Sequence, residues 1–193
     1  MMGKNIALIL GNSDNESFCA AIAETYAVAA EEAGHQVRYF KLGDIEFDPV
    51  LRHGYKQRQT LEPGLESIRE AILWSDHLVL VYPIWWGSIP AVLKGMFDRV
   101  FLPGFAFKYR DNSQFWDRLL AGRSAHAIAT MDTPPWYFKL VYCSPAHHQM
   151  RKTILEFSGI KPVKITSFGP VRYASDAKRA GWLGRVRRFA QAA

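Results

Sequence analysis

Three short stretches hold most of the side chains here that could do chemistry, and each follows directly on an apolar run. The first is Gly11-Asn-Ser-Asp-Asn-Glu-Ser17. A strand that passes through a small polar loop into a helix aims free backbone N–H groups and the positive end of the helix dipole at one point, which suits a phosphate. Ser13, Asn15 and Ser17 can add side-chain donors, on condition that Asp14 and Glu16 point away. Ser17 would serve equally well as a plain helix N-cap. The second stretch is Pro83-Ile-Trp-Trp-Gly-Ser88, inside a segment (Val81–Phe107) with only three charged residues in 27: Lys94, Asp98 and Arg99. A surface this aromatic has to be covered, by a flat ligand or by another subunit. Trp85 or Trp86 could pack on the face of a planar ring while the Pro83–Gly87 backbone meets its polar edge. Core packing is the plainer alternative. The third stretch is Thr130-Met-Asp-Thr-Pro-Pro-Trp-Tyr137. Its threonine hydroxyls and amides could bond the same ring, Trp136 and Tyr137 could wall a substrate, and Tyr137 could donate a hydrogen bond. A proline-stiffened turn is the ordinary alternative.

Other chemistries find little support. His147-His148 are adjacent, so on a helix they point in different directions, and no carboxylate at ligand spacing accompanies them. A capping or surface role is the reading, and no metal is expected. No Ser-His-Asp or Cys-His arrangement suggests hydrolysis. Cys19 and Cys143 make neither a disulfide framework nor a metal motif. No apolar run is long enough for a membrane span or a signal peptide. These points lead us to expect a cytoplasmic protein. The net charge of +6 resides largely in Lys178, Arg179, Arg185, Arg187 and Arg188, the pattern of a solvated basic helix. Such a balance suits phosphate-bearing cofactors and anionic substrates, whereas no motif supports nucleic-acid binding.

The elements that must position the three stretches alternate regularly. Strands are expected at Asn5–Leu10, Gln36–Lys41, His77–Tyr82, Ser124–Met131 and near Val163–Phe168. Helices are expected at Ser17–Ala33, Leu65–Ser75 (with Leu65, Ile68, Ile72 and Leu73 on its apolar face), Ala91–Phe101, His147–Phe157 and from Ser175. Pro90 suits the first turn of the third helix and Ser88 its cap. Lys94 and Asp98, four apart, would pair weakly, and Pro134-Pro135 reads as a loop. Gly43–Pro63 is too irregular for a core element. Five strands alternating with five helices give one α/β domain over residues 1–193, a three-layer sandwich with a parallel sheet covered on both faces. In the flavodoxin-like order 2-1-3-4-5, the loops after strands 1, 3 and 4 meet at the switch point. Those are the three stretches.

The run Pro83-Ile-Trp-Trp-Gly-Ser-Ile-Pro-Ala-Val-Leu-Lys-Gly-Met-Phe-Asp-Arg-Val-Phe, followed by Gly104-Phe-Ala-Phe107, resembles the central signature of the flavodoxin-fold NAD(P)H:quinone reductases. Ser17-Phe18 is similar to the end of that family's phosphate loop. The resemblance implies a homodimer with flavin (FMN, or alternatively FAD) at interface sites, and ping-pong hydride transfer from NADPH or NADH to quinone-like acceptors. It implies that Ser17 and Phe18 hold the flavin phosphate, that Pro83, Ile84, Trp85 and Trp86 contact ribityl chain and ring, and that Thr130, Met131, Asp132 and Thr133 form the third loop. Phe105 and Phe107 would pack across the dimer or line the partner's pocket. The chain departs from the family's larger members in three places: Asn12 stands for a first-loop histidine, Thr130-Met-Asp-Thr replaces a threonine-glycine-glycine loop, and only Tyr137 matches a tyrosine–histidine pair linked there to proton handling. Two other roles fit the same fold, a flavodoxin-type electron carrier and an ancillary regulatory subunit of a membrane transporter. Carriers are typically acidic, which counts against the first; the second would use the basic C-terminal helix.

Overall fold

A computed structural model describes residues 3–193. Five parallel strands form the central sheet: β1 (Asn5–Leu10), β2 (Gln36–Lys41), β3 (His77–Pro83), β6 (Ser124–Thr130) and β7 (Val163–Phe168). Their order is β2-β1-β3-β6-β7, which is 2-1-3-4-5 when only the sheet strands are counted. The near-continuous apolar run of β3 is buried at every position, as a strand covered on both faces requires.

Helices cover the two faces. On one lie α1 (Phe18–Glu32) and α7 (Asp176–Gln191), joined through Ile22, Tyr26, Ala29 and Ala30 on one side and Trp182, Val186 and Ala190 on the other. The basic residues of α7 therefore turn outward, apart from Arg179, which is part-buried and donates to the Val171 carbonyl at 3.3 Å. The other face carries α2 (Pro63–Trp74) and α3 (Ala91–Val100). Leu73 is half-exposed and does not join the apolar face assigned to it; Leu65, Ile68 and Ile72 do. Lys94 and Asp98 pair at 2.6 Å. α3 begins at a Pro90 cap without a side-chain hydrogen bond, and Ser88 instead donates to Gln149. Among the described residues no helix is long and apolar enough to cross a membrane.

Two elements escape the sequence pattern. β4 (Phe107–Tyr109) and β5 (Trp116–Arg118) form a small antiparallel hairpin. The Pro134-Pro135 loop turns at once into α4 (Pro135–Leu140), because proline at the first helical position needs no N–H partner. The helix expected at His147–Phe157 starts earlier, as α5 (Pro145–His148), widens to a π-helical stretch over Gln149–Leu155, and closes as α6 (Glu156–Ser158). Gly43–Pro63 is irregular beyond its first turn, as expected. It is nonetheless fastened: the fully buried Arg99 donates to Glu62, to the Thr60 carbonyl at 2.7 Å and to the Asp48 carbonyl.

Candidate functional site

The carboxyl ends of β1, β3 and β6 surround a cavity of about 350 Å³. Nine of the residues singled out in the three stretches line it, together with Phe18: Asn12, Ser17, Pro83, Ile84, Trp85, Thr130, Met131, Asp132 and Thr133. Asp14, Cys19 and Val171 complete the wall, and none of these three was singled out as a ligand contact. Val171 comes from the loop after β7, whose approach is fixed by two backbone bonds to the third stretch. Its N–H donates to the Met131 carbonyl at 3.1 Å, and the Arg172 N–H donates to the Asp132 carboxylate at 2.8 Å.

The first loop is braced by its own side chains. Buried Asn12 donates to the Ser17 hydroxyl at 2.8 Å and accepts from the Asp14 N–H at 3.2 Å. Ser17 donates to the Asp14 carbonyl at 2.7 Å and caps α1 by accepting from the Ala20 N–H. Its hydroxyl is thus spent inside the loop, and the donors left for an anion are the first-turn amides of Phe18 and Cys19, which a helix leaves unpaired. Asn15 turns to the Asp44 carboxylate, and neither Asn15 nor Ser13 reaches the cavity. Asp14, which had to point away, stands on the wall instead, its carboxylate accepting from the Glu16 N–H at 2.9 Å. An anion is therefore best placed deeper, at the α1 amides, where the Arg179 guanidinium lies 6.0 Å from the Phe18 ring centre. At the cavity floor the Cys19 thiol and the Thr130 hydroxyl are 3.0 Å apart, so this threonine hydroxyl is committed to the protein. Burial pushes the Cys19 thiol up to about 12, against the opposing hydrogen bond from Thr130.

The second loop is a tight hairpin. Trp85 and Ser88 exchange both backbone bonds, at 3.1 and 2.9 Å, and the two residues between have φ of 52° (Trp86) and 76° (Gly87). Left-handed backbone at both central positions is the I′ turn, which suits Gly87 and strains Trp86. The turn splits the two tryptophans. Trp85 is on the wall, half-exposed, while Trp86 projects from the tip, fully exposed and away from the cavity. Gly87 is likewise at the tip and off the wall.

The remaining candidates lie outside. Trp136 and Tyr137 sit on α4, edge to face at 5.6 Å, with Trp136 largely exposed. Phe107 is 5% exposed, packed edge-on against Phe157, so it cannot line a partner's pocket without leaving its own core. Phe105 is half-buried against Phe101. The exposed aromatic residues of this tail are Tyr109 and Phe115. His147 is neither cap nor surface group: it faces the Ser167 hydroxyl at 3.1 Å and packs on Phe138, whereas His148 is exposed.

Residues 4–189 match the family model described as flavodoxin-like fold. An uncharacterized NAD(P)H oxidoreductase of Haemophilus influenzae is 28% identical over 86% of this chain and 84% of its own length. The ribosyldihydronicotinamide dehydrogenase (quinone) of Pongo abelii is 27% identical over 95% of this chain and 89% of its own. Among solved structures, an FMN-dependent NADH-azoreductase of Bacillus anthracis in complex with FMN has a TM-score of 0.71. At 17% identity over 96% of this chain and 97% of that one, the likeness is one of fold.

Proposed function

The chain belongs to the flavodoxin-like-fold family, and from that premise we propose a flavin-dependent enzyme that passes hydride from NAD(P)H to quinones or similar acceptors. Its relatives are NAD(P)H oxidoreductases and quinone dehydrogenases, and the enzyme type is theirs. The observation that carries the cofactor is the cavity itself: three loops converge at the switch point of a 2-1-3-4-5 sheet, where this fold places FMN. The residues fit such a group. The Phe18 and Cys19 amides take the phosphate, Pro83 to Trp85 flank the ribityl chain and ring, and Asp132 and Thr133 meet the ring's polar edge. FMN is the form proposed.

A flavin held by these residues would supply a two-electron hydride acceptor and donor, so that one slot would serve nicotinamide and acceptor in turn. The protein contributes orientation. Trp85 offers an apolar wall on which flat groups stack, and the Ile84–Thr130 backbone bond at 2.8 Å holds the second and third loops at a fixed spacing. Trp136 and Tyr137, on the helix that begins two residues after Thr133, serve the acceptor, with Tyr137 as the hydrogen-bond donor. We further propose a homodimer, supported by the exposed Trp86, Trp136, Leu140 and Tyr142, a surface that a second copy would cover.

The test is to purify the protein, record its visible spectrum and identify the released cofactor. A flavin spectrum bleached by NAD(P)H and restored by a quinone is expected, and a colourless chain that takes up neither FMN nor FAD overturns the reading. Trp85→Ala should weaken flavin retention while leaving the fold intact; Trp86→Ala should affect it less.

A further inference from the structure

A second cleft begins two residues along the chain from the cavity wall, at Pro135, and has a volume of about 520 Å³. That is within the range of small-molecule sites. Three cations line it, Lys139 from α4 and Arg151 and Lys152 from the π-helical stretch, with His147 and His148 of α5 and the Ser167 hydroxyl of β7 as further polar groups. No aspartate or glutamate lines it among the described residues. Lys152 is partly neutralised by Glu156 at 2.8 Å, but Lys139 and Arg151 pair with no carboxylate among the described residues. The Nε of Arg151 is buried without a hydrogen-bond partner. An unpaired guanidinium fork beside an unpaired ammonium is the donor set for a phosphate dianion.

The chain segment that the two sites share points to which phosphate. Thr133 lines the cavity and Pro135 lines the cleft, so their Cα atoms are at most about 7 Å apart. A ligand with a reactive ring in one and an anionic group in the other can span both. Quinone acceptors carry no such anion. The dinucleotide donor does, and the 2′-phosphate is what distinguishes NADPH from NADH.

We propose that this cleft holds the 2′-phosphate of NADPH and selects NADPH over NADH, an inference that rests on the NAD(P)H oxidoreductase reading. Lys139 and Arg151 carry the selection; the cleft takes no part in hydride transfer.

The test uses the flavin-loaded protein and calorimetric titration with 2′,5′-ADP, 5′-AMP and inorganic phosphate. Binding of 2′,5′-ADP about tenfold or more tighter than 5′-AMP is expected, since hydrogen bonds to charged groups are the strong ones. Inorganic phosphate at the same concentration should not compete. Lys139→Gln and Arg151→Lys, checked for folding by circular dichroism, should each reduce the 2′,5′-ADP preference. They should also raise KM for NADPH about tenfold while KM for NADH and kcat with NADH stay unchanged. Equal binding of the two nucleotides, displacement by inorganic phosphate alone, or an equal loss with both donors overturns the proposal. A chain that binds 2′,5′-ADP but no flavin would sink the enzyme reading and leave the cleft standing; a flavin-bearing enzyme with equal KM values would sink only the cleft.

Discussion

Lowering the pH from 7 to 5 should cost this fold about 4 kcal/mol, through two histidines far from the functional site. His77 on β3 and His126 on β6 are both buried at the amino-terminal half of the sheet. His77 Nδ1 faces the Ser124 hydroxyl at 2.7 Å, and His126 Nε2 faces the Thr166 hydroxyl at 2.9 Å, so each ring is satisfied by a neutral partner. Burial lowers His77 from 6.5 to about 4 and His126 to about 3, with Lys4 and Lys164 adding repulsion. The folded values lie below the unfolded one, so the unfolded chain takes up protons first. The stabilisation is complete above the unfolded value and fades as pH falls from about 6.5 toward about 4 for His77 and about 3 for His126. Between pH 7 and 5 the unfolded imidazoles become almost fully charged while the folded ones do not. That loses about 2 kcal/mol per histidine, nearly independent of how far below 5 the folded value lies. His147, which burial and the nearby Arg151 also hold below the usual imidazole range, adds a part of the same sign, and carboxylates do not blur this window. Asp48 is held low by the Val50 N–H and Arg52, and Glu156 by Lys152; at Glu62 burial pushes upward but the Arg99 hydrogen bonds prevail. All three release their contribution at lower pH. Urea unfolding of wild type, His77→Asn, His126→Gln and the double variant at pH 7 and 5 measures the effect. Each single variant should halve the drop and the double should remove most of it. Unchanged or higher stability at pH 5, or an unaltered drop in the double variant, refutes the reasoning.

Arg99→Met should destabilise by about 3 kcal/mol in urea unfolding, the low end for breaking a buried pair, because Glu62 keeps 29% side-chain exposure and can rehydrate. The Gly43–Pro63 segment should then become the first site of limited proteolysis, since Arg99 is its clamp. Thiol labelling with a disulfide reagent should modify one cysteine per native chain, the exposed Cys143, and two in guanidinium. Cys19 is buried with its thiol raised to about 12, and it supplies little thiolate at neutral pH.

The layout was legible in the sequence because it rests on local periodicity. A buried parallel strand such as His77–Tyr82 can only read as a continuous apolar run, and α1 declares itself by Ile22, Tyr26 and Ala29–Ala30 on one face with Gly34 beyond. What was not legible is of two kinds. The β4–β5 strands are three residues each, too short for any alternation to emerge, and they pair across a six-residue connection without a two-residue turn signature. Val171, meanwhile, enters the cavity wall only because the Met131 carbonyl and the Asp132 carboxylate hold it there from about 40 residues away. Nothing in its neighbourhood in the chain announces that contact.

The two tryptophans make the same division within a single loop. Their adjacency marks the site, because an aromatic pair between Pro83 and Gly87 at a strand end has no ordinary core role. Which of them faces the cavity is decided by the backbone. Gly87 permits a left-handed φ, the hairpin closes over two residues, and Trp86 is carried to the tip while Trp85 stays on the wall. Residue type identifies the loop, and turn geometry assigns the roles within it. A bulky side chain in a left-handed conformation persists only where surrounding structure enforces it. Here the enforcing contacts are the Trp85–Ser88 bonds and the Ser88–Gln149 side-chain bond to the π-helical stretch. That same stretch carries Arg151 into the cationic cleft. The aromatic turn and the cleft are thus fastened to one element, and the left-handed backbone of Trp86 is anchored on the helix that lines the cleft.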